Sequence, residues 1–305
     1  MSDTNPANTQ DLPVDNTLVS ASKLSDLFMF VKLRLATLVV MSAAFCFMLA
    51  SDVIDYSKLT FLIVGGFLVT ASSNGFNQII ERNLDKLMSR TANRPLPTGR
   101  MSLTEAYTIS IVFGIAGIAI LWYFMNPLSG LLGTLALFLY TVVYTPLKKK
   151  TPFAVFVGAF PGAIPPLLGW IAATNNLSEI EPWLVFSVQF MWQFPHFWAI
   201  AWVLDDDYKK AGFQMLPSPG GRDKSSAFQV LVYTLFLVPI SLMPVFFGIS
   251  GSVSAVIITL CGILFSLQAI HLFKTCSLKA AQQLMFGSFA YLPLVQLALL
   301  FDKTI

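Results

Sequence analysis

The chain has 305 residues, 55% of them hydrophobic and only 11% charged, with a formal net charge of +3. A soluble domain carries roughly a quarter charged residues, so the composition excludes one, and no nucleic-acid partner is expected. Apolar runs of about membrane-spanning length recur throughout, which reads as an all-α polytopic membrane protein with about nine transmembrane helices in one bundle. Cys46, Cys261 and Cys276 are scattered without metal-like spacing and read as small apolar fillers.

Residues 1–22 are polar, contain Asp3, Asp11 and Asp15, and lack the basic start and apolar core of a signal peptide. They are expected to form a disordered cytosolic tail, leaving 23–305 as the transmembrane domain. The first two spans are predicted over 33–51 and 59–78. The second runs into NGFNQIIERNLDKLMSRTANRPLPTGR, residues 74–100. Here Asn77, Glu81 and Asp85 recur every four residues and share one helical stripe, with Arg82, Lys86 and Arg90 on the stripe beside it. Carboxylates four apart repel, and near the end of a membrane helix they are costly. A divalent cation shared by Glu81 and Asp85 removes that cost, and the arginines suit the anion it carries. A solvated loop with local ion pairs is the bland alternative.

Spans three to five are predicted over 103–124, 128–146 and 153–173. Tyr144 and Lys148 stand four apart at the end of the fourth, suited to an anionic ligand. Pro161, Pro165 and Pro166, with Gly158, Gly162 and Gly169, predict an irregular fifth span. The sixth, 183–204, contains His196, and an intramembrane histidine is a functional candidate. Its neighbours Trp192, Phe194, Phe197, Trp198 and Trp202 are able to line a large flat ligand or to meet lipid. A second polar insertion follows, with Asp205, Asp206 and Asp207, then Lys209 and Lys210. Read as the C-terminal end of the sixth helix, these carboxylates oppose its dipole and again invite a metal ion. The last spans are predicted over 227–248, 252–272 and 284–301, with His271 read as structural.

With nine spans, all but Lys58 and Lys303 of the 19 Lys and Arg residues fall on one face. The positive-inside rule makes that face, and the N-terminus, cytosolic. The two acidic insertions follow spans two and six, so both open on that face, and the offset of four spans suggests two related halves. Oxygen ligands favour magnesium. A magnesium-bound diphosphate on an isoprenoid chain would use the carboxylates and cations for its leaving group and the apolar bundle for its tail.

Several separated motifs resemble the protohaem IX farnesyltransferase (haem O synthase) family, within the intramembrane aromatic prenyltransferase superfamily. They are NxxxERxxDxxMxRTxxRPLPxGR from Asn77 to Arg100, YTPLKKKT from Tyr144, GAIPPLLGW, and PHFWAIAW followed by DYKKAGFQMLP. The resemblance implies transfer of a farnesyl group from farnesyl diphosphate to a vinyl group of haem B, with water addition, in a multi-pass protein of the bacterial plasma membrane with cytosolic active-site loops. It implies Asn77, Glu81, Asp85, Asp207 and His196 as catalytic, and Mg2+ held by Asn77, Glu81, Asp85, Asp206 and Asp207. Arg82, Arg90, Arg94, Tyr144, Lys148 and Lys209 are expected around the diphosphate, and His196 and Trp198 against the haem substrate. Val203 stands where quinone-type relatives carry an aspartate, which leaves the second metal motif short of a ligand. Expected partners are the bilayer and haem A synthase or the assembly of a terminal oxidase. A prenyltransferase for a quinone precursor and a non-catalytic haem or isoprenoid transporter are the alternative readings.

Overall fold

Eight helices of the computed structural model, which describes residues 23–304, are long and apolar enough to cross a bilayer. In chain order the helices among the described residues are α1 (Lys23–Val31), α2 (Leu33–Ala50), α3 (Tyr56–Asp85), α4 (Leu103–Ile120), α5 (Pro127–Phe138), α6 (Thr145–Leu147), α7 (Ala154–Thr174), α8 (Glu181–Val203), α9 (Asp205–Lys210), α10 (Lys224–Phe246), α11 (Ser252–Thr275) and α12 (Leu278–Phe301). Turns of π-helix at Leu121–Met125 and Leu139–Tyr144 extend α4 and α5. The eight apolar spans are α2, α3, α4, α5, α7, α10, α11 and α12. The helix at the predicted sixth span, α8, has 23 residues but buries Gln189, Gln193 and His196 along its length. The expected tail over 1–22 lies outside the described residues.

Capping residues mark the boundaries. Asp55 accepts from the Ser57 and Lys58 amides to start α3, and Ser102 with Glu105 forms a reciprocal capping box at α4. Asn126 caps α5 with Pro127 in its first turn. Each long helix packs on the next in the chain, and α12 packs back on α2, closing a ring of nine among the described residues. The neighbour order α2–α3–α4–α5 recurs as α7–α8–α10–α11, the offset of four spans expected from the two polar insertions.

Across the ring α2 packs on α7, and Gly169 makes the crossing close, since a Cβ there would fall on the Ala43 carbonyl. The predicted irregularity of the fifth span does not occur: α7 is one continuous helix with all three prolines inside it. Pro166 leaves the Gly162 carbonyl without its helical donor, and Gln189 Nε2 donates to that oxygen at 2.7 Å. One turn earlier Gln193 Nε2 donates to the Ala159 carbonyl at 2.8 Å. Gln296 of α12 donates to Ser42 Oγ at 2.6 Å and to Gln189 Oε1 at 3.1 Å. Gln189 of α8 therefore satisfies the carbonyl that Pro166 exposes, and Gln193 adds a second bond from α8 to the α7 backbone.

Candidate active site

At 30 residues α3 spans about 45 Å, more than the roughly 30 Å of hydrocarbon. It runs past the predicted end at 78 as one helix and delivers Asn77, Glu81 and Asp85 on a single stripe. All three are buried, with Asp85 fully so. Buried carboxylates need partners, and each finds a cation from another segment. Glu81 pairs with Lys148 Nζ at 2.5 Å, and Asp85 Oδ2 pairs with Arg94 at 2.7 Å. Asp85 Oδ1 has no hydrogen-bond partner. Asn77 Nδ2 donates to Thr145 Oγ1 at 3.3 Å, and its Oδ1 accepts from Lys32 Nζ at 3.1 Å.

Lys32 was not among the residues singled out from the sequence. It sits between α1 and α2 with φ 52°, ψ 58°, a left-handed conformation that costs a side chain about 1–3 kcal/mol. The break frees the last carbonyls of α1, and Asn74 and Gln78 of α3 donate to Val31 and Phe30. With the helix end satisfied, the lysine turns inward onto Asn77. Burial, reinforced by the positive Arg94 and Lys148, lowers its pKa to about 7.

Lys148 follows the π-helical turn and α6, 5.1 Å over the ring of buried Tyr144. Burial is the largest single influence and opposes its charge, but the Glu81 carboxylate together with Tyr140 and Tyr208 outweighs it and raises the pKa. Gly158 leaves room for Tyr144, because a Cβ there would lie 2.6 Å from the ring. Lys32, Arg94 and Lys148 thus surround Glu81 and Asp85, so the cluster holds three basic groups around two acids.

The second insertion differs from its sequence reading. The sixth helix stops at Val203, Leu204 leaves helical geometry at φ −101°, ψ 12°, and the three aspartates occupy the first turn of α9. There they meet the positive end of a dipole, not the negative end. Arg222 takes up the exposed end of α8, donating to the Trp202 carbonyl at 2.7 Å. Asp207 accepts from the Ser89 and Arg90 amides at 3.2 and 3.1 Å and pairs with Lys210 at 2.9 Å. Those contacts, Lys210 foremost, lower its pKa. Asp206 is 77% exposed and pairs with Arg222, and Lys209 is exposed and pairs with Asp205.

Of the expected ligands, then, Asn77, Glu81, Asp85, Arg94, Tyr144 and Lys148 come together. Asp207 joins the two insertions through backbone, while Arg90 is exposed and Arg82 donates within its own helix to the Ile79 carbonyl. Among the described residues no three His, Cys, Asp or Glu side chains are grouped to share a metal ion. His196 is buried on α8, with Nδ1 2.8 Å from Ser288 Oγ. Its stacked neighbour is Trp192, at 4.2 Å between ring centroids. Trp198 lies on another side of α8, against Phe194 and Tyr233, so the structure does not pair it with His196.

Two acids and three cations at the mouth of an apolar helical ring suit a diphosphate ester with a greasy tail. The model of the UbiA prenyltransferase family matches residues 38–292. The chain belongs to the UbiA prenyltransferase family. It is a membrane prenyltransferase. A relative from Christiangramia forsetii named "Protoheme IX farnesyltransferase" is 51% identical over 291 residues, covering 94% of this chain and 96% of the relative. The solved structure of digeranylgeranylglyceryl phosphate synthase shares the fold with a TM-score of 0.76 at 20% identity, over 92% of this chain and 98% of that one. A UbiA homologue from Archaeoglobus fulgidus bound to GPP and Mg2+ has a TM-score of 0.70 at 15% identity, over 91% of this chain and all of that one. Within this UbiA-family fold, Lys32 is the site residue that sequence reasoning missed; its one signal was a basic residue just ahead of the first span.

Proposed function

We propose that the protein transfers the farnesyl group of farnesyl diphosphate to a vinyl group of haem B, with water addition, giving haem O and diphosphate. The observation that carries this reading is the unpartnered, fully buried Asp85 Oδ1 beside Glu81 and three cations. Magnesium is commonly held by one or two carboxylates together with substrate phosphates, and this donor set fits. Glu81, Asp85 and the Asn77 amide oxygen would hold Mg2+, which supplies charge against the departing diphosphate. A further ion at Asp206 and Asp207 requires those carboxylates to exchange their present partners.

Lys32, Arg94 and Lys148 bind the diphosphate oxygens and stabilise the charge that grows as the allylic C–O bond breaks. Lys148 and Arg94 neutralise Glu81 and Asp85, and Lys32 rests on Asn77. To bind the diphosphate oxygens, Lys32, Arg94 and Lys148 would give up those pairings. The outer vinyl carbon supplies the electron pair for the new C–C bond, and positive charge moves to the carbon beside the porphyrin, where conjugation spreads it. Water adds there and releases a proton. His196 lies seven residues before the end of α8, about 10 Å along the helix axis from it, and we assign it to the haem half of the reaction. The distribution of basic residues supports a cytosolic orientation for this mouth in a bacterial plasma membrane.

Replacing Asp85 by Asn, or Glu81 by Gln, should leave a folded protein whose magnesium-dependent turnover falls about 100-fold or more, the scale on which losing one electrostatic group acts. Turnover of both purified variants within a few-fold of the parent at limiting magnesium sinks the assignment.

A further inference from the structure

One residue of α12 holds two side chains of α8 that lie a single turn apart. Ser288 Oγ is 2.8 Å from His196 Nδ1, and the Ser288 carbonyl accepts the Trp192 indole N–H at 2.9 Å. The same hydroxyl lies 2.6 Å from the Met285 carbonyl, to which it donates. A serine hydroxyl has one proton to give. With that proton on Met285, the oxygen can only accept from His196, so the neutral imidazole carries its hydrogen on Nδ1. Nε2 keeps its lone pair and has no hydrogen-bond partner among the described residues. Trp192 stacks on one face of the ring at 4.2 Å and 19°, and Phe289 meets it edge-on at 5.0 Å and 79°. Those contacts resist a ring flip that would exchange the two nitrogens.

We propose that Ser288 is a positioning residue that locks His196 as the Nδ1–H tautomer and presents an unprotonated Nε2 to the tetrapyrrole substrate. The inference rests on the haem role given to His196 above. A metal-ligating histidine characteristically donates its other N–H to a fixed acceptor, and an imidazole acting as a base needs the same lone pair. Ser288 therefore serves either role of Nε2. Trp192 ties the ring and the serine backbone into one unit, so the tautomer and the ring orientation are set together.

The sequence contains two histidines, His196 and His271, so the full-length protein labelled with nitrogen-15 histidine shows two imidazoles, and a His271→Gln variant assigns them. The parent and Ser288→Thr should show His196 protonated on Nδ1 with Nε2 bare. Ser288→Ala should show the other tautomer or exchange between the two. Titrated with haem B, Ser288→Ala should bind about 10- to 100-fold more weakly, with Ser288→Thr close to the parent and farnesyl diphosphate affinity unchanged in both. An Nε2–H tautomer in the parent, or a Ser288→Ala protein that keeps both the tautomer and its haem affinity, overturns the proposal. A His196→Ala variant with normal haem affinity instead contradicts the haem role itself, a result separable from the tautomer measurement.

Discussion

Lys32 shows how a charge is prepared for a ligand. Its pKa of about 7 means that it is only partly protonated at neutral pH, whereas a bound diphosphate favours the cation. Binding should therefore take up a proton above pH 7. Affinity for farnesyl diphosphate should fall as pH rises from 7, by up to about tenfold per unit, until the pKa of the bound lysine is reached. Arginine stays charged throughout, so Lys32→Arg should flatten that decline. Binding titrations at fixed magnesium between pH 7 and 9 check this, and equal slopes in both proteins contradict it. The acids of the site were legible in the sequence because a four-residue interval puts Asn77, Glu81 and Asp85 on one face whatever surrounds them. Lys32 was not, because it lies 45 positions from Asn77 and resembles the basic residues that set topology. Trp192, not Trp198, partners His196 for a similar reason: i and i+4 meet on a helix, while i and i+2 point apart.

Among the elements, α8 links the fold to the chemistry. It carries His196, and its Gln189 and Gln193 donate to α7 carbonyls. Gln189→Leu strands the Gly162 carbonyl and opens the contact to Ser42 and Gln296. A loss of about 1–2 kcal/mol is expected, since interhelical hydrogen bonds in membranes contribute around 1 and a buried orphan adds to it. Unfolding of the purified protein in detergent measures the loss; unchanged stability would mean that α7 satisfies its own backbone. Span positions were legible because apolar length is a local property. The end of α8 was not, because the partner of its exposed carbonyl, Arg222, lies twenty residues after Trp202. The three aspartates consequently changed dipole end without any change in their own sequence. The prolines of α7 misled in the same way, since Gln189, which compensates Pro166, belongs to another helix.

At the scale of the whole molecule, the ring of nine helices brings the ends of α3 and α8 to one mouth, and Asp207 ties their insertions through the Ser89 and Arg90 amides. Single cysteines at Ser102 and Ser225 should both be labelled from the cytosolic side, and one at Asn175 from the opposite side. Labelling of Ser102 and Ser225 from different faces contradicts a shared mouth. The offset of four spans was legible in the placement of the two insertions, whereas the α2–α7 crossing depends on shape, on Gly169 meeting the Ala43 carbonyl. The most direct measurement supplies the purified protein with farnesyl diphosphate, haem B and Mg2+ in oxygen-18 water and weighs the haem product. The account predicts magnesium-dependent release of diphosphate and a haem heavier by one farnesyl group and one hydroxyl group, whose oxygen is the heavy isotope. Haem B recovered unchanged while a quinone precursor is prenylated, or a farnesylated haem without solvent oxygen, contradicts it.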